Sequence, residues 1–114
     1  MELHYSELDN NIRLLKLIGK LDILGTGEIE TEFAGRCNGE NVRVVVDLSE
    51  VDFLASIGIR LLMLTVKAIA SRGGKMALIG PVPDVQRVLE VTGIPEVIPM
   101  YSQFESAEAV LLGA

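Results

Sequence analysis

A chain of 114 residues can build one hydrophobic core but not two. Hydrophobic residues make up 49% of it and are spread along its length, which excludes disorder, and no apolar run reaches the roughly 18 residues of a membrane span. A net charge of −6 disfavours direct nucleic-acid binding and polybasic membrane contact, both of which need clustered Lys and Arg, and suits a basic protein partner.

The opening Met-Glu-Leu-His-Tyr-Ser-Glu is acidic and polar, unlike a secretory signal. Cys37 is the only cysteine and cannot form an internal disulfide, so the expected compartment is cytoplasmic. Leu3 to Leu8 and Ile12 to Ile18 read as strands joined through Asp9-Asn10-Asn11, a hairpin built on residues that tolerate turn geometry. The second strand is almost continuously apolar from Leu14 to Ile18, as in a strand covered on both faces, and Gly19-Lys20-Leu21-Asp22 ends it. Gly25-Thr26-Gly27 reads as a flexible loop. It falls short of the glycine pattern of dinucleotide sites, and the chain has no phosphate-loop lysine.

A helix is predicted over 26–37, with Ile29 and Phe33 on one face and Asn38-Gly39 as its stop; Gly25 and Gly27 each disfavour helix by about 1 kcal/mol. Val42 to Leu48 is a central strand followed by an acidic loop. Ser56 to Arg72 is the longest helix and ends at Gly73-Gly74. Lys75 to Ile79 is a strand. Val85, Val88 and Leu89 mark a short helix ending at Gly93, and Glu96 to Met100 is an edge strand, because Pro99 would not suit a central one. Ser102-Gln103-Phe104-Glu105 fits a capping box opening a last helix to Leu112. The order β β α β α β α β α implies right-handed crossovers, hence a mixed, mostly parallel sheet of about five strands with an N-terminal antiparallel hairpin and four helices.

Ser56 stands where strand and loop give way to a helix. Free N–H groups and the positive end of the helix dipole favour a phosphate there. The plainer role is an N-cap. A nucleophilic serine is disfavoured, since the only histidine is His4 in the first strand and the nucleophile-elbow glycines are absent around Leu54-Ala55-Ser56-Ile57-Gly58. The acids Asp22, Asp47, Glu50 and Asp52 show no metal-ligand spacing, and Asp22 and Asp47 each end a predicted strand, at the edge where ligands gather. On the long helix Arg60, Lys67 and Ser71 share a polar stripe, and Leu62, Val66 and Ile69 should face the sheet. Ile57 and Leu64 flank the stripe, either under a neighbouring helix or as an apolar docking ridge rimmed by Arg60 and Lys67.

The segment Val46-Asp47-Leu48-Ser49-Glu50-Val51-Asp52-Phe53-Leu54-Ala55-Ser56-Ile57-Gly58-Ile59 resembles the signature of the STAS domain, especially of bacterial anti-sigma factor antagonists. Gly19-Lys20-Leu21-Asp22, Gly73-Gly74-Lys75, Val88 to Ile94 and Ser106-Ala107-Glu108-Ala109 resemble further family segments in the same order. The resemblance implies one STAS domain over 1–114, with no catalytic activity and no cofactor or metal. It implies a partner that is both anti-sigma factor and serine kinase of the GHKL type, a phosphatase that reverses the modification, Ser56 as phospho-acceptor, and Asp22 near the docking surface. With the helix-face reading above, the expected partner-binding residues are Asp22, Ile57, Gly58, Arg60, Leu64 and Lys67. Two positions depart from the family pattern: Ala55 replaces the acid before the acceptor, and Ile57 replaces a second hydroxyl. These departures support an alternative, a STAS scaffold without phospho-regulation in a sensory or lipid-transport complex. A small hydrolase or nucleotide-binding protein lacks its base, its metal set and its phosphate loop.

Overall fold

The computed structural model describes residues 1–113 and shows one five-stranded sheet in the order β1-β2-β3-β4-β5. The strands are β1 (Glu2–Leu8), β2 (Ile12–Leu21), β3 (Arg43–Leu54), β4 (Lys75–Ile79) and β5 (Met100–Tyr101); the helices are α1 (Ile23–Arg36), α2 (Ser56–Ser71), α3 (Pro83–Val91) and α4 (Phe104–Gly113). β1 and β2 are antiparallel and every other pair is parallel, as the sequence order implied. Asn10 and Asn11 take positive φ in the hairpin turn, which few residues besides Asn, Asp and Gly adopt cheaply.

Successive strands are neighbours, so right-handed crossovers put α1, α2 and α3 on one face. There Leu15, Leu17, Val44, Val46, Leu48 and Leu78 meet Ile29, Phe33, Leu62, Ile69, Val85 and Leu89 in the main core. α4 alone covers part of the other face, packing Ala107 and Leu111 on Ile12, Val45, Ala77 and Ile79. β2 is thus apolar towards both sides, as its sequence indicated. Arg13 leaves β2 to donate to the carbonyls of Arg36 and Asn38 at 2.9 and 2.6 Å, placing a cation at the carboxyl end of α1.

Four expectations are corrected. First, β2 does not end at Ile18. Gly19 takes φ +121° at a register shift and the strand continues to Leu21. Second, the acidic stretch after Leu48 is strand and not loop. β3 stays paired with β2 to Leu21↔Leu54, while its pairing with β4 stops at Asp47↔Ile79. Beyond that point β2 and β3 project as a two-stranded ribbon. Ion pairs across it, Lys16–Glu50 at 2.6 Å and Lys20–Asp52 at 3.3 Å, offset the alternating acids. Third, Gly25-Thr26-Gly27 is not a loop. α1 starts at Ile23, with the Asp22 carboxylate accepting from the Gly25 N–H at 2.7 Å. Fourth, 96–100 is not a strand for most of its length. Ile94–Glu96 form a 3-10 turn, and β5 is only Met100–Tyr101, with the Pro99 carbonyl accepting from Leu78 N–H at 2.9 Å. α4 begins at Phe104, so Ser102 stands one residue before its cap.

Candidate functional site

The far end of the ribbon gathers the amino ends of α1 and α2. The N–H of Ala55 donates to the carbonyl of Leu21 at 3.0 Å, so the residues that follow each, Asp22 and Ser56, lie at the same end of the molecule. α2 begins at Ser56 as the sequence indicated, and Ser56 is exposed. Its predicted role as N-cap is corrected. Ala55 holds the cap position, in extended backbone (φ −97°, ψ 171°), and offers no side-chain oxygen, so Ser56 is the first helical residue. The intrahelical bonds begin with Gly58 and Ile59 N–H donating to the Ala55 carbonyl at 3.0 and 3.2 Å. The N–H groups of Ser56 and Ile57 come before these bonds. They face outward with the dipole's positive end, as an anion requires.

A side-chain oxygen at position 55 would reach the N–H of Ile57, the second helical residue. Ala55→Asp is expected to stabilise the fold by about 1 kcal/mol and raise the melting temperature by about 5 °C. An unchanged melting temperature would mean that water already satisfies that N–H group fully.

The other predicted residues sort by exposure. Arg60 and Lys67 are exposed, Leu64 is 54% exposed, and Ile57 is half-buried. Leu64 therefore has no covering helix. It flanks a groove of about 390 Å³ between the carboxyl halves of α1 and α2, together with Ala34, Cys37 and Arg72. Leu62 and Ile69 are buried and Val66 packs on the core, as the periodicity required. Gly58 is buried and is a packing position. A Cβ there would stand 2.8 Å from Leu54 Cδ1 and 2.9 Å from Leu21 Cβ, so glycine lets α2 approach β2. Asp22 is half-buried and committed to capping α1.

The four acids do not converge. Asp47 lies within β3, where its carboxylate accepts from Ser49 N–H at 2.9 Å, and Glu50 and Asp52 pair with Lys16 and Lys20. No group of three or more metal-ligating acids, His or Cys occurs among the described residues. Cys37 is buried at the end of α1, and burial pushes its thiol up to about 12, so it stays protonated and unreactive at neutral pH.

One group of residues escaped the sequence reading. Ile23 (74% exposed), Leu24 (79%) and Phe53 (49%) stand uncovered at the ribbon end, on either side of the Leu21–Ala55 contact. The Leu21–Ala55 bond brings the two segments that carry them together at the end of the molecule where α2 begins. A signal was present: Ile23-Leu24 directly follows the capping Asp22, so it occupies the first helical turn, outside the periodic face set by Ile29 and Phe33.

Comparison with known proteins shows the family and the fold. The family model described as the STAS domain matches residues 6–107. A protein of Bordetella bronchiseptica named "Putative anti-sigma factor antagonist BtrV" is 28% identical over 109 residues, covering 96% of this chain and 93% of that one. The solved anti-sigma-factor antagonist (STAS) domain protein from Planctomyces limnophilus superposes with a TM-score of 0.86 at 26% identity, covering 96% of each chain. The anti-sigma factor antagonist SpoIIAA in its unphosphorylated form gives 0.80 at 18% identity, covering 99% of this chain and 98% of that one. The phosphorylated form of SpoIIAA from Bacillus gives 0.67 at 17%, covering 96% and 99%. These two last likenesses show a shared fold.

Proposed function

The chain belongs to the STAS domain family, and on that premise we propose that it is a non-enzymatic anti-sigma factor antagonist whose binding is switched off by phosphorylation of Ser56. The observation that carries this reading is the exposed Ser56 at the start of α2, at the same end of the molecule as the uncovered Ile23, Leu24 and Phe53. These exposed apolar side chains supply area for a partner to bury, and Arg60 and Lys67 supply a charged rim further along α2. The partner is an anti-sigma factor that is also a serine kinase of the GHKL type. The names of the relatives support the antagonist role, and the two forms of SpoIIAA support a fold that accommodates both states.

In the switch, Ser56 Oγ takes the γ-phosphoryl group of ATP, ADP leaves, and the hydroxyl proton passes to the kinase. The product carries about −1.5 to −2 charge at a docking surface. The unused N–H groups of Ser56 and Ile57 hold the phosphate on the antagonist, while burying that charge against apolar partner surface is costly. A phosphatase restores the hydroxyl. A cytoplasmic location fits such a cycle.

Incubation with the cognate kinase and ATP should add one phosphate by intact mass, and Ser56→Ala should abolish the addition. No addition with the right kinase would remove the switch and leave the second reading, which Ala55 and Ile57 favour: an unmodified STAS scaffold in a sensory or lipid-transport assembly. That scaffold would form a complex whose lifetime is indifferent to ATP.

A further inference from the structure

The second feature of the molecule lies at the other parallel strands. The chain leaves β4 for α3, on the face shared with α1 and α2, and leaves β5 for α4, on the opposite face. Two adjacent parallel strands thus send their connections to opposite sides. In an open sheet this leaves a crevice at the strands' carboxyl ends. Such a crevice is present, of about 660 Å³, inside the range of about 300–1,000 Å³ typical of small-molecule sites.

Its base is Gly80 and Tyr101, joined by the Gly80 N–H donating to the Tyr101 carbonyl at 2.9 Å. Pro95, Pro99 and Met100 offer apolar surface, Met100 being the β5 side chain turned towards the α3 side of the sheet. α3 contributes Gln86 and Glu90, one turn apart on the same side of the helix. No Lys, Arg or His lines the crevice. The single hydrogen bond recorded for the Glu90 carboxylate among the described residues is a long one, 3.4 Å from Gln86 Nε2. The lining is therefore mixed polar and apolar with one un-neutralised carboxylate, on a chain of net charge −6.

We propose that this crevice binds a small organic cation: an amine whose ammonium pairs with Glu90 and whose apolar ring lies against Pro95, Pro99 and Met100. The carboxylate gives charge selection, and the proline and methionine side chains give the contact area that an exposed ion pair alone would lack. The site is separate from Ser56, because β3 runs on from Asp47 to Leu54 after its last pair with β4. It stands whether or not Ser56 is phosphorylated.

Amide NMR titration of the full chain with phenethylamine tests the proposal, with phenylacetate as the matched anion. The amine should give saturable shifts centred on Gly80, Tyr101 and Ser102, and the anion should not. Glu90→Gln should weaken the amine by about tenfold, with the rest of the spectrum unchanged because residue 90 is exposed. Asp84→Asn, on the same helix but outside the crevice, should bind as the parent does. Equal shifts with amine and anion, undiminished binding in Glu90→Gln, or no saturable shift at millimolar amine would each overturn the assignment.

Discussion

Ser56→Asp weakens the complex with the cognate anti-sigma factor by about 30-fold, whereas Ser56→Ala stays within about threefold of the parent. That is the expected result of a calorimetric or competition measurement. The difference corresponds to about 2 kcal/mol. The residue is the exposed first position of α2, so losing its hydroxyl removes no cap and opens no cavity. A carboxylate there is welcome in the free protein, since the dipole and the spare N–H groups of Ser56 and Ile57 favour it. The melting temperature of Ser56→Asp should therefore equal or exceed that of the parent. The cost arises on docking, when a charge beside Ile23, Leu24 and Phe53 must leave water. Equal affinities for the Ala and Asp variants would show that charge is not what ends binding.

The second large effect concerns two glycines of opposite behaviour, two residues apart in α1. Gly25→Ala is expected to destabilise by about 3 kcal/mol and lower the melting temperature by about 15 °C. A Cβ at position 25 would overlap the Lys20 carbonyl oxygen, and backbone cannot yield as a side chain can. The same atom would crowd the Asp22 carboxylate that caps the helix, at 3.1 Å. Gly27→Ala meets nothing within 4 Å and should stabilise by about 0.5–1 kcal/mol, because alanine is the better helix former. Thermal or urea unfolding of the two variants gives opposite signs if α1 begins at Ile23. Two losses of similar size would mean that 25–27 is not helical.

Those glycines also mark where the sequence was hard to read. Propensity alone argued against helix at Gly25 and Gly27, and the counter-argument was a tertiary contact, the approach of α1 to the end of β2, which no local pattern displays. The ribbon hid itself similarly. Glu50 and Asp52 read as loop because their partners, Lys16 and Lys20, lie far away in sequence. By contrast, Lys75 to Ile79 was legible in full, being a short apolar run between glycines, and the start of α2 at Ser56 was legible from the change of period. Of the candidate site, Ser56 and the polar stripe of Arg60 and Lys67 stood out, since polar residues at helical spacing betray an outer face. Ile23, Leu24 and Phe53 did not, because apolar residues are taken for core unless something shows that nothing covers them. Gly58 was placed on the docking face by its motif, and its buried contact with Leu21 and Leu54 makes it a spacer.

The ribbon that outruns β4 has an evolutionary consequence. Everything a partner would touch at that tip comes from two brief stretches, one following β2 and one ending β3 and opening α2. Neither supplies most of the interior. Paralogues in one genome could therefore diverge at a handful of tip positions and become deaf to each other's regulators while keeping the same scaffold underneath.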